Sequence, residues 1–184
     1  MRHFTFSSKS AYFSIMSGSY KFVLHFLLCF VGLNVAYQFL LINQGNSLDF
    51  FTQFIANTTA NIYGLPTQIN PFKPGVQIMN QAEPVVNIME GCNGLAVWFT
   101  LLSFVVAFGG KTKQLVWYIP FSFILLQLGN LLRLLALIAI KLNNPAYFAF
   151  FHTYAFPAIL YAFAFGLMLI WIKLQAHKTN EKVG

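Results

Sequence analysis

Residues 115–140 read LVWYIPFSFILLQLGNLLRLLALIAI. A bilayer core about 30 Å thick is crossed by about 20 apolar residues in helical form. This stretch exceeds that length, with Gln127, Asn130 and Arg133 as its polar interruptions. Working outward, three further apolar runs occupy residues 22–42, 94–108 and 154–174. The second of these is the shortest, and it extends to 91–108 if its polar start is included.

The composition agrees with that reading. Of 184 residues, 58% are hydrophobic and 8% charged, and the mean hydropathy is +0.64. A soluble domain carries about 25% charged residues, so a soluble monomer is excluded. The 22 Phe and the aliphatic runs exclude disorder. Net charge is +7, but no Arg/Lys stripe interleaved with aromatics exists to hold a nucleic acid. The expectation is one all-α polytopic membrane domain over residues 1–184, with four main transmembrane helices.

Basic residues orient such a bundle, because cytoplasmic ends are enriched in Lys and Arg. An even number of spans puts both termini on one side. That side holds Arg2, Lys9, Lys21, Lys111, Lys113, Lys173, Lys178 and Lys182, and the other holds Lys73 and Lys141. The expected topology is N-in and C-in, with inner tails at 1–21 and 175–184. Residues 22–42 are read as an uncleaved span rather than a signal peptide.

Residues 43–90 then lie outside. Phe51, Phe54, Ile55 and Ile62 recur at helical spacing, which predicts an amphipathic helix on the outer membrane surface over 47–62. Ser47 is its expected N-cap, with Asp49 in the first turn. Beyond it, Pro66, Pro71, Pro74, Gly75 and Pro84 punctuate two short β-type runs, 76–78 and 85–88, which predicts a hairpin or extended lid.

Ionisable and polar groups inside spans are costly and mark function. Arg133 stands about 10 Å from the outer end of its run, at about 1.5 Å per residue. It either snorkels to the headgroups or faces the bundle interior. Gln127 and Asn130 precede it at three-residue steps and share its broad helical face. Cys92 opens the 94–108 run on the outer side, within Glu90-Gly91-Cys92-Asn93-Gly94. A helix starting there presents free N–H groups and a positive dipole end, which favours the reactive thiolate, although Glu90 opposes it. His152 opens the last run on the same side. Taken alone it reads as an interfacial anchor beside Phe151 and Tyr154. Cys29 reads as a buried small hydrophobe, and His25 as a hydrogen-bonding group within the bundle. The cysteines show no metal-ligand or dithiol spacing, so no metal or organic cofactor is expected.

Thiol, imidazole and guanidinium are sufficient for acyl transfer: Cys92 attacks a carbonyl, Arg133 stabilises the oxyanion and His152 protonates the leaving amine. Glu90-Gly91-Cys92-Asn93-Gly94-Leu95, then Asn130-Leu131-Leu132-Arg133, then His152 resemble the three signature boxes of exosortases and archaeosortases. The likeness covers roughly residues 20–175, and the wording is most similar to the exosortase F branch of Bacteroidetes. Asn93 stands where the family's first box usually has Ser, Thr or Ala. The resemblance implies an inner-membrane cysteine protease and transpeptidase, acting on exported proteins with a C-terminal motif, apolar helix and basic cluster. It implies Cys92 as nucleophile, Arg133 as oxyanion stabiliser and His152 as acid/base. The helical offset alone suggests that Asn130 orients Arg133, and Glu90 is a candidate partner for Arg133 or His152. Two rival readings remain: a non-catalytic membrane scaffold or assembly subunit, and a transporter or channel with Arg133 on an anion path. The second lacks any inverted repeat.

Overall fold

Backbone polar groups in hydrocarbon must be satisfied internally, and a helix does this within one segment. Each long apolar run accordingly lies in a helix. The computed structural model describes residues 8–43, 48–70 and 72–180. The element order is α1 (Ser8–Asn43), α2 (Phe50–Tyr63), β1 (Thr67–Ile69), β2 (Val76–Asn80), β3 (Glu83–Ile88), α3 (Leu95–Phe108), α4 (Thr112–Asn143), α5 (Phe148–Phe150) and α6 (Phe156–Asn180). The described residues are mostly helical. Helix α1 begins well before the apolar run that it contains, so residues 8–21 are helical rather than a plain tail.

Among the described residues, three helical stretches are long and apolar enough to cross a membrane: Ser19–Leu40, Thr112–Asn143 and Pro145–Ala176. Helix α3 is equally apolar but has 14 residues, about 21 Å at about 1.5 Å per residue. The expected fourth main span therefore falls short of the length that marks the other three.

Aromatic contacts give the packing. Phe22 meets Phe104 edge-on at 5.6 Å and Tyr37 meets Phe99 at 5.8 Å, so α1 runs antiparallel to α3. Tyr118 packs on Trp171 at 4.8 Å. A Cβ added at Gly129 would lie 3.5 Å from the Phe163 ring, which makes α4 and α6 antiparallel neighbours. Val97, Leu101, Leu126, Leu160, Leu167 and Trp171 form the core of the bundle. Val116, Trp117, Ile124, Leu132, Ile159 and Phe165 remain exposed on the outside, as lipid-facing surfaces do.

A second core sits at one end of the bundle. Strands β1, β2 and β3 form an antiparallel sheet in that order, and β2 and β3 are the hairpin expected from the sequence. Alternation along β2 and β3 turns Val76, Ile78, Val86 and Ile88 inward onto Ile55, Ala56 and Ala60 of α2 and onto Leu134, Leu137 and Ile138 of α4.

Helix α2 matches its expected place, with two corrections. Its N-cap is Asp49, whose side chain accepts from the Thr52 N–H; Ser47 lies outside the described residues. Its buried face is Thr52, Ile55, Ala56, Thr59 and Ala60, whereas Phe54 and Ile62 are more than half exposed. The small residues allow close approach to sheet and helix, so tertiary packing takes that face and splits the apolar stripe.

Candidate active site

Cys92 ends a single 3-10 turn, Glu90–Cys92, that leads from β3 to α3. Gly94 follows with φ 78°, a left-handed conformation that glycine adopts without strain. An added Cβ there would lie 3.2 Å from Asn130. Helix α3 therefore starts at Leu95 rather than at Cys92. Asn93 Oδ1 accepts from the Leu95 N–H at 2.9 Å. This corrects the expectation that the thiol itself receives the helix N-terminal amides: the neighbouring asparagine takes that place. Cys92 is 7% exposed and packs in the cluster with Leu134, Leu137 and Ile138.

Asn130, fully buried on α4, joins the loop to the guanidinium. Its Nδ2 donates to the Cys92 carbonyl oxygen at 3.0 Å, and its Oδ1 accepts from Arg133 Nη1 at 3.3 Å. Cys92, Asn130 and Arg133 are thus connected through one carboxamide, consistent with the offset read from the sequence. Arg133 Nε is buried without a hydrogen-bond partner, as are both amide atoms of Gln127. Arg133 also borders a groove of about 460 Å³ between α4 and α6, lined by Gly129, Leu132, Ala136, Phe156, Ile159 and Phe163.

His152 sits on a π-helical turn, Phe151–Ala155. Pro157 has no N–H to give to the carbonyl four residues back, and the ladder slips so that the Phe156 N–H bonds the Phe151 carbonyl. The His152 ring stacks on Phe148 at 5.5 Å, with Lys141 Nζ 5.2 Å from the Phe148 centroid. Among the described residues no hydrogen bond joins His152 to Cys92.

Two of the chain's four acidic residues lie beside this loop. Burial, and then the Asp49 carboxylate, push Glu90 above its usual carboxylate range. Among the described residues no ion pair joins Glu90 to Arg133 or His152, so the expected pairing is not formed. Asp49 Oδ2 instead accepts from Tyr37 Oη at 3.0 Å and from Thr52 Oγ1 at 2.5 Å. Asn93 Nδ2 donates to the same two hydroxyl oxygens, at 2.9 and 3.0 Å. Sequence reasoning singled out Asn93 but missed Tyr37 and Thr52 and gave Asp49 only a helix-end role. The one available signal was an Asp in an acid-poor chain. His25 Nδ1 bonds the Lys21 carbonyl at 2.6 Å within its own helix, away from this site. Among the described residues no cluster of His, Cys, Asp and Glu is placed to hold a metal ion.

Comparison of the chain with protein-family models, with curated proteins and with solved structures finds no match.

Proposed function

We propose that the chain is an exosortase-type cysteine peptidase and transpeptidase of the inner membrane. In this reading it crosses the bilayer four times, with both termini inside and the Cys92 loop at the outer surface. The observation that carries the reading is the Asn130 bridge, which ties the Cys92 loop to the Arg133 guanidinium.

The chemistry follows from those groups. Cys92 passes its thiol proton to His152 and attacks the scissile carbonyl through Sγ, and the carbonyl electron pair moves onto its oxygen. Arg133 stabilises that oxyanion, and a charged donor in a water-poor site is worth most where the charge develops. His152 gives a proton to the leaving amine as the C–N bond breaks. The thioester on Cys92 is then taken by an amine or by water, which returns the thiol. An exported protein held by its own apolar C-terminal helix presents the bond at high effective concentration.

One observation favours a second reading. The Cys92 residue is 7% exposed among aliphatic side chains, which suits a structural cysteine in a scaffold subunit. A membrane-impermeant alkylating probe and mass spectrometry separate the two. The enzyme labels at Cys92 near neutral pH faster than a free thiol, at a rate that depends on His152, and accumulates an acyl-enzyme on Cys92. A Cys92→Ala protein that processes exported substrates fully overturns the peptidase reading.

A further inference from the structure

We infer that Asp49, Tyr37 and Thr52 are positioning residues that orient the Cys92 loop through a one-way hydrogen-bond relay; the inference rests on the reading of Cys92 as the reacting thiol.

Donor and acceptor counting fixes the direction. A carboxylate only accepts. Asp49 Oδ1 takes the Thr52 N–H at 2.8 Å, and Oδ2 takes the hydroxyl protons of Thr52 and Tyr37. Each hydroxyl has one proton, and both are committed to Asp49. Toward Asn93 these oxygens can only accept, so the carboxamide must present its NH2 to them, as observed at 2.9 and 3.0 Å. The Asn93 oxygen is left facing the Leu95 N–H at the start of α3. A flipped amide would set an oxygen against two oxygens that have no proton to give.

The relay joins α1, the N-cap of α2 and the entry to α3. Asp49 is 6% exposed, Thr52 0% and Asn93 1%, so water does not substitute for these three, while Tyr37 is half-buried. Capping α2 needs only Oδ1 of Asp49; the second oxygen is committed to the relay. Its partners are hydroxyls rather than cations, so its negative charge is spent on orienting the residue next to Cys92.

An exchange of polarity tests this in the full-length protein in nanodiscs, with Cys29→Ser so that Cys92 alone reports. Asp49→Asn keeps an N-cap of equal quality but turns the relay's final acceptor into a donor. Asn93→Asp places acceptors at both ends. The double variant Asp49→Asn/Asn93→Asp restores a complete relay that runs the other way. Each single change is expected to lower the Cys92 alkylation rate about tenfold and to remove its dependence on His152, and the double variant to recover to within about twofold. Hydrogen exchange of the peptide covering residues 92–98 is expected to follow the same pattern. Thr52→Ser should leave both readouts near the starting values, and Thr52→Val should not. If the double variant is no better than the sum of the singles in hydrogen exchange, the relay is refuted. If the parent's Cys92 labels like an ordinary thiol while exchange still follows the polarity, the peptidase reading fails and the relay stands as what orients the loop.

Discussion

The side-chain amide of Asn130 donates to the backbone carbonyl of Cys92, 38 residues away in the chain, at 3.0 Å. The same residue accepts from Arg133 and is fully buried. Asn130→Ala leaves the Cys92 carbonyl without its donor, a loss of about 1–3 kcal/mol for a buried polar group. Asn130→Asp keeps an acceptor for Arg133 but faces the Cys92 carbonyl with a second acceptor. Both variants are expected to unfold at lower denaturant than the parent and to label more slowly at Cys92. Equilibrium unfolding in detergent and alkylation kinetics check this.

Gly94 and Gly64 both have left-handed backbones, with φ 78° and 74°. Their surroundings differ: a Cβ at Gly94 meets Asn130 at 3.2 Å, and nothing lies within 4 Å at Gly64. Both Gly→Ala changes bear the left-handed strain of about 1–2 kcal/mol. Gly94→Ala is expected to cost about 1 kcal/mol or more beyond Gly64→Ala, because it overpacks against Asn130. Thermal unfolding of the two variants side by side gives the difference.

Burial, then Asp49, raises Glu90 above its reference value of 4.5. A carboxyl whose folded value is raised binds more protons when folded than when unfolded. Its contribution to stability is therefore highest below pH 4.5 and declines as pH rises from there through the raised value. Glu90→Gln removes that decline. The variant is expected to be more stable than the parent at neutral pH and to show a flatter stability profile through the acid range. Unfolding measured across a pH series tests the sign. A steeper profile in the variant would contradict it.

The proposed topology sets the sheet and the α3–α4 turn on opposite sides of the bilayer. Gln68 and Lys113 are both exposed at those places. In a chain lacking both native cysteines, Gln68→Cys is expected to label with an impermeant maleimide from outside intact cells, and Lys113→Cys only after the membrane is opened. Labelling of both from one side removes α3 as a crossing segment.

Arg133 has Nη1 on Asn130 at 3.3 Å and its Nε unpartnered. A lysine carries the charge without the planar fork that spans two acceptors. Arg133→Lys is expected to lose most processing while keeping the fold, measured as substrate cleavage against unchanged unfolding. Full activity in Arg133→Lys would reduce the residue to a simple positive charge.

Hydropathy alone placed the helices at residues 22–42, 115–140 and 154–174, because burial in hydrocarbon depends on local composition. Turn residues marked the hairpin for the same local reason: Pro and Gly restrict the backbone wherever they stand. The α4 offset between Asn130 and Arg133 was legible as well, being set by helical pitch. The buried side of α2 was not. Its apolar stripe pointed to Phe54 and Ile62, but the sheet and α4 select the side with small residues, since backbone approach there buries more of Ile55, Ala56 and Ala60.

The sequence by itself determined that this chain is mostly helical, with helices long and apolar enough to cross a membrane, and which polar residues interrupt its apolar runs. Only the tertiary structure decided that Asn130 holds the Cys92 loop and that Asn93 is oriented by Tyr37, Thr52 and Asp49. The physical reason is that hydropathy and helical pitch act over a few residues. A hydrogen bond between Asn93 and Tyr37, 56 residues apart, exists only once packing has brought α1 against the entry to α3.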